Sequence, residues 1–128
     1  MGVTGGIRPN AKNLAHMADQ IPGGAEGRNN WGVIGISRDQ WRLVGAAAAL
    51  GGNVRVGLED NFYLPNGDMA GSNGDLIAKA RQLVEDVGRR AATVAEARER
   101  LGVPKKGGDE VSRRELLEHP IETTGSAP

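Results

Sequence analysis

Three charged residues near the middle of the chain, Arg55, Glu59 and Asp60, stand in a pattern suited to acid–base or metal chemistry. They lie in the string Gly51-Gly-Asn-Val-Arg-Val-Gly-Leu-Glu-Asp-Asn-Phe-Tyr-Leu-Pro65. Taken as a strand over Val54 to Leu58, this segment turns Val54, Val56 and Leu58 one way. Arg55, Gly57 and Glu59 face the other way, because strand side chains alternate. The first set packs against helices, and the second points into a barrel or sheet interior. An unpaired charge in such an interior costs several kcal/mol. The charged groups therefore belong on and just beyond the strand's carboxyl end, the edge where parallel α/β proteins build their sites.

Glu59 and Asp60 are adjacent, so their side chains diverge and need not share a proton. One suits a ligand or acceptor in the mouth, the other a base on the loop. Arg55 and Glu59 are about 13 Å apart between Cα atoms if the strand is regular at ~3.3 Å per residue. They meet only if the arginine reaches along the strand. On pattern alone, an Arg–Glu pair closing a strand beside a loop aspartate explains the same residues equally well.

The elements that must position these groups are legible around them. Residues 1–9 are glycine-rich loop, and Asn10 is an N-cap candidate for a helix through Leu14, Met17 and Ile21, ended by Pro22. Trp31 to Ile36 suits a short strand buried on both faces. Ser37 and Gln40 fit a capping box that opens a helix through Trp41, Val44 and the alanines 46–49, stopped by Gly51-Gly52. With the strand that follows, this is a βαβ unit, which implies parallel pairing. A polar loop over 59–71 then precedes a helix capped by Ser72 and Asp75. Its stripe is Leu76, Ile77, Ala80, Leu83, Val84 and Val87, and Gly88 stops it. Thr93 and Glu96 form a second capping box for a short helix ended by Gly102 and Pro104. Beyond Lys105 the chain is charged and then small and polar, with a loose helix over Arg113 to His119 and disorder from Thr123.

Composition narrows the function classes. The 128 residues carry 16 Lys plus Arg against 16 Asp plus Glu, so formal net charge is zero. That balance gives no global field to gather nucleic acid or an anionic membrane. Without cysteine there is no disulfide, no thiolate metal site and no thiol nucleophile. No run approaches the ~20 apolar residues of a membrane span, and the expected compartment is the cytoplasm. Glycine is 20 of 128 residues, about twice the usual ~7%. Apolar residues are 38%, below the roughly 45–50% of ordinary chains, a figure that counts glycine. All four aromatics, Trp31, Trp41, Phe62 and Tyr63, are central.

The string GGNVRVGLEDNFYLPNG, followed by SNGDLIAKARQLVEDVGRRAATVAEARERLG, closely resembles the C-terminal end of the beta-keto acid cleavage enzymes, among them the 3-keto-5-aminohexanoate cleavage enzyme of lysine fermentation. The resemblance runs from about Met1 to Gly102. It implies an α/β fold, the zinc-dependent TIM (β/α)8 barrel, whose members convert a beta-keto acid and acetyl-CoA into acetoacetate and a new acyl-CoA. In that family two histidines of a His-x-His motif and the glutamate matching Glu59 hold the metal. The aspartate matching Asp60 removes the proton alpha to the keto group. The arginine matching Arg55 joins a serine from an earlier strand in orienting substrate and supporting that base.

The chain has about half the ~250 residues of such a barrel and no His-x-His; His16 and His119 read as solvated. The resemblance therefore covers the end of the sixth βα unit, the seventh and the eighth. Residues 1–102 form this barrel portion, with extra C-terminal helices, and 103–128 form a polar tail. The expectation is a fragment without turnover or stoichiometric zinc on its own, poorly soluble, and associating with itself or with the missing barrel half. One half of a split enzyme and a non-catalytic CoA-binding or scaffold remnant remain as alternatives. Gly35, Ser37 and Arg38 are candidate contacts for the nucleotide end of CoA, since turns before helices present N–H groups to phosphate; a plain tight turn explains them too. Gly2 to Gly6 offers similar turns. Arg89-Arg90 and Lys105-Lys106 read as solvated surface, and Trp41 as packing.

Overall fold

Local chemistry sets most element boundaries. In a computed structural model that describes residues 1–23 and 29–104, the order is α1 (Ala11–Asp19), β1 (Gly32–Ile34), a 3-10 turn (Ser37–Asp39), α2 (Gln40–Ala49), β2 (Asn53–Arg55), α3 (Asn73–Asp86) and α4 (Val94–Arg100). The chain divides into two units, residues 1–91 and 92–128. Among the described residues no helix is long and apolar enough to cross a membrane.

In the first unit, the Asn10 side chain caps α1 by accepting from the Asn13 N–H at 2.8 Å. Ser72 and Asp75 exchange the two bonds of a capping box at the start of α3. Each such cap contributes about 1 kcal/mol by satisfying N–H groups that the first helical turn leaves unpaired. Gly51 (φ 86°) and Gly88 (φ 78°) end α2 and α3 in the left-handed region that glycine enters without a Cβ clash.

β1 and β2 pair in parallel, Gly32 opposite Asn53, Val33 opposite Val54 and Ile34 opposite Arg55. The expected βαβ unit is therefore present. Met1 lies beside the end of β1: its N-terminal ammonium donates to Ile34 O at 2.7 Å, and the Ile36 N–H donates to Met1 O at 3.0 Å. That is the bonding pattern of a parallel neighbour.

Two apolar clusters cover one face of the sheet. Leu14, Val33, Leu43 and Ala47 form the first. Trp41, Val44, Ala70, Leu76 and Ala80 form the second, with Val56, Leu58, Leu64 and Leu83 against it. Val54 touches both. Val54, Val56 and Leu58 thus face the helices, as alternation required.

Four expectations need correction. The first strand is shorter than 31–36 and covered on one face only: Val33 is buried, while Ile34 is 40% exposed. The second strand ends at Arg55 rather than Leu58, because the Asp60 and Asn61 N–H groups both bond back to Gly57 O and turn the chain. Ser37 is not a side-chain N-cap; its φ is 58°, and the Gln40 side chain is buried, donating to Gly35 O. Glycine at 35 permits this close approach, since a Cβ there would lie 2.6 Å from the Gln40 Cα. Arg89 is not merely solvated surface: its guanidinium donates to Ala48 O and Gly52 O, both at 3.0 Å, and closes the carboxyl end of α2.

In the second unit, Thr93 and Glu96 form the expected capping box of α4, with Thr93 N–H to the Glu96 carboxylate at 2.8 Å. The expectations for Lys105-Lys106, the 113–119 helix, His119 and the tail from Thr123 lie outside the described residues.

Candidate functional site

The short β2 strand brings the three charged residues together by a route that strand geometry alone does not give. Because the chain turns at Gly57, Glu59 comes back over Arg55 instead of lying a further strand's length away. The Arg55 guanidinium then holds both acids. Its Nε donates to Asp60 Oδ2 at 3.2 Å, and its Nη2 reaches Asp60 Oδ1 at 3.3 Å and Glu59 Oε2 at 3.1 Å. This is the two-point grip that a planar guanidinium makes on a carboxylate.

The two acids differ sharply in surroundings. The Asp60 side chain is 7% exposed and the Glu59 side chain 86%, with Arg55 between them at 51%. Asp60 is also fixed through its backbone: its carbonyl accepts from the Ser37 N–H at 2.8 Å. On the far side the Asn73 side chain, at the start of α3, accepts from the Leu58 N–H at 2.8 Å. The acidic turn is thus tied to the turns that open both α2 and α3.

Of the three residues expected to meet CoA, Gly35 is buried against Gln40, and the Ser37 N–H is engaged by Asp60. Arg38 is exposed, with its guanidinium carbon 5.3 Å from the centre of the Tyr63 ring. Stacking on an aromatic face orients the cation while leaving its N–H edge open to an anion. The exposed Ser37 is thus one hydrogen bond from Asp60, and Arg38 is the next residue along. His16 is exposed on the last turn of α1.

A catalytic zinc needs about three protein ligands. Among the described residues no group of three or more His, Cys, Asp or Glu could hold a metal ion. Glu59 offers one carboxylate and Asp60 is gripped by Arg55, so this donor set does not by itself fit the ion. No chemical step is assigned to a metal here.

Sequence reasoning missed Gln40, Asn61 and Asn73, which hold the acidic turn. Asn61 is 2% exposed and Gln40 fully buried. In the sequence Gln40 reads as part of a helix cap with Ser37, and for Asn61 and Asn73 only the position of Asn61 directly after Asp60 signals a role.

Comparison with known proteins shows the family. A family model described as beta-keto acid cleavage enzyme matches residues 1–103. A 3-keto-5-aminohexanoate cleavage enzyme of Fusobacterium nucleatum is 40% identical over 95 residues, which is 74% of this chain and 34% of that protein. A 3,5-dioxohexanoate:acetyl-CoA acetone transferase of Paraburkholderia graminis is 39% identical over 103 residues, 78% of this chain and 32% of the relative. A 3-oxoadipate:acetyl-CoA acetyltransferase of Cupriavidus necator is 45% identical over 74 residues, 58% and 26% of the two chains. The chain spans about a third of the length of the curated relatives it matches. With a parallel βαβ core, an Arg-held acidic pair at its carboxyl edge and a family match over most of its length, the chain belongs to the beta-keto acid cleavage enzyme family.

Proposed function

We propose that residues 1–102 are the end of the sixth βα unit and the seventh and eighth units of a (β/α)8 barrel. In this reading the barrel transfers acyl groups between a beta-keto acid and acetyl-CoA. The observation that carries the reading is the Arg55 grip on Asp60 and Glu59 at the carboxyl end of β2. β1 and β2 lie side by side, in sequence order and in parallel, as successive barrel strands do.

In this reading Asp60 is the base. Its carboxylate takes the proton alpha to the keto group, and each oxygen keeps a lone pair free beside its bond to Arg55. The resulting carbanion attacks the acetyl carbonyl of acetyl-CoA, and the CoA thiolate leaves. The thiolate then attacks the original keto carbon, the C–C bond breaks, the acetoacetate carbanion so released takes the proton back from Asp60, and acetoacetate and the new acyl-CoA depart. Arg55 fixes the direction of the base and stabilises negative charge near it. Glu59, exposed at the rim, is the carboxylate that would serve as a metal ligand in this reading. Arg38, stacked on Tyr63, with Ser37 beside it, meets the phosphates of CoA, and Gly35 permits the close turn that presents them.

Relatives at similar identity are named for an amino-substituted, a dioxo and a dicarboxylic keto acid. What the matched third has in common is therefore the keto-acid and acetyl-CoA core of the reaction, not the substrate's tail. A complementation assay tests this. The chain is expressed with a polypeptide carrying the first units of a relative's barrel, and acetoacetate release from 3-oxoadipate, 3,5-dioxohexanoate or 3-keto-5-aminohexanoate with acetyl-CoA is followed. Release that depends on Asp60 supports the reading. Release that survives Asp60→Asn unchanged removes Asp60 as the base.

A further inference from the structure

Asn61 is buried in a position where an apolar side chain would be the simpler occupant. Its carboxamide uses every partner it has. Nδ2 donates to Tyr63 O at 2.6 Å and to Gln40 Oε1 at 3.4 Å, and Oδ1 accepts from the Tyr63 N–H at 3.1 Å. Gln40 passes the link on, its Nε2 donating to Gly35 O at 3.2 Å. Tyr63 O takes a second bond from Trp41 Nε1 at 2.7 Å. One amide therefore stitches the turn after β2 to the turn after β1.

That stitch ends on both groups to which chemistry has been assigned. Asp60 immediately precedes Asn61, and its own carbonyl is bonded to Ser37 N–H, so the peptide carrying the Arg55-held carboxylate is pinned on both sides. Tyr63, whose backbone Asn61 brackets, is the ring on which Arg38 rests. Aspartate at position 61 lacks the donors, and leucine lacks donors and acceptor alike; only an amide satisfies all three partners.

We propose that Asn61, acting through Gln40, is the positioning residue of the site: it sets the direction of Asp60 toward Arg55 and the place of Tyr63 under Arg38. The role rests on the reading of Asp60 and Arg55 as the reacting groups, but its test involves neither keto acid nor CoA.

The 128-residue chain is labelled with 15N and its side-chain N–H signals are followed. In the unsubstituted chain the Asn61 carboxamide protons exchange with solvent about tenfold or more slowly than those of the exposed Asn30, because buried bonded donors are protected. In Asn61→Leu, which keeps the volume, the Arg55 Nε–H and Trp41 Nε1–H signals move toward free arginine and indole positions. The backbone signals of α3 stay in place. Gln40→Met, which cuts the bonds to Asn61 and to Gly35 O but leaves Asn61 on Tyr63, moves the same two signals in the same direction by less. An Asn61 carboxamide exchanging as fast as that of Asn30 overturns the proposal whatever the variants do. So does a folded Asn61→Leu or Gln40→Met chain whose Arg55 and Trp41 signals are unmoved. Signals that move as expected, in a chain that complements to no activity, leave the positioning role standing and count against the assigned reaction.

Discussion

The two faces of the β1–β2 pair are made from alternate residues of two short strands, yet they serve opposite ends. On one face Val33 and Val54 meet Leu43 and Ala47, and the helices seal them from water. On the other, Ile34 and Arg55 are opposite each other in register and remain open, with Glu59 beyond them. The closed face holds apolar area and so carries the folding free energy. The open face holds charge that is gripped but not sealed, which is a cost to folding and a resource for chemistry.

Four substitutions press on that contrast, from the largest expected effect to the smallest. On the open face, Asp60→Asn removes a base and leaves the shape. In the complemented barrel it lowers the rate of acetoacetate release by about 10²–10⁴-fold, the usual contribution of a positioned base, with folding by circular dichroism retained. On the closed face, Leu43→Ala opens a cavity at a fully buried position and costs about 2–5 kcal/mol in urea unfolding. Ser37 lies between the faces, with φ of 58°. Ser37→Gly relieves that strain and stabilises the chain by up to about 1 kcal/mol in the same assay, while weakening CoA binding measured by calorimetry. Smallest is Glu59→Gln. Its ion pair with Arg55 is mostly solvated, so stability changes by less than about 1 kcal/mol. Loss of stability like that of Leu43→Ala would mean the open face is a second core.

Much of this contrast is legible in the sequence, and what escapes has a common cause. The N-cap at Asn10, the capping boxes at Ser72 and Thr93 and the stops at Gly51 and Gly88 are local bonds or local torsions, so local pattern finds them. Alternation placed Val54, Val56 and Leu58 on the helix side, and the structure agrees. Resemblance singled out Arg55, Glu59 and Asp60, and their contact is present. The burial of Gln40 against Asn61 and the reach of Arg89 to Ala48 and Gly52 are not local. Each depends on a partner at a distance along the chain, and Ser37-Arg-Asp-Gln40 satisfies the letter of a capping box while the Gln40 amide bonds Gly35 O and Asn61 instead.

Val54 belongs to both apolar clusters. A residue shared in this way removes the seam along which a small protein would come apart in stages. Neither the cluster around Leu43 nor the one around Leu76 can loosen without unseating the side chain that the other leans on. The expected consequence is cooperativity: the two clusters lose their order in a single urea transition rather than two, and the acidic turn beyond β2 is as durable as the weaker of the clusters behind it.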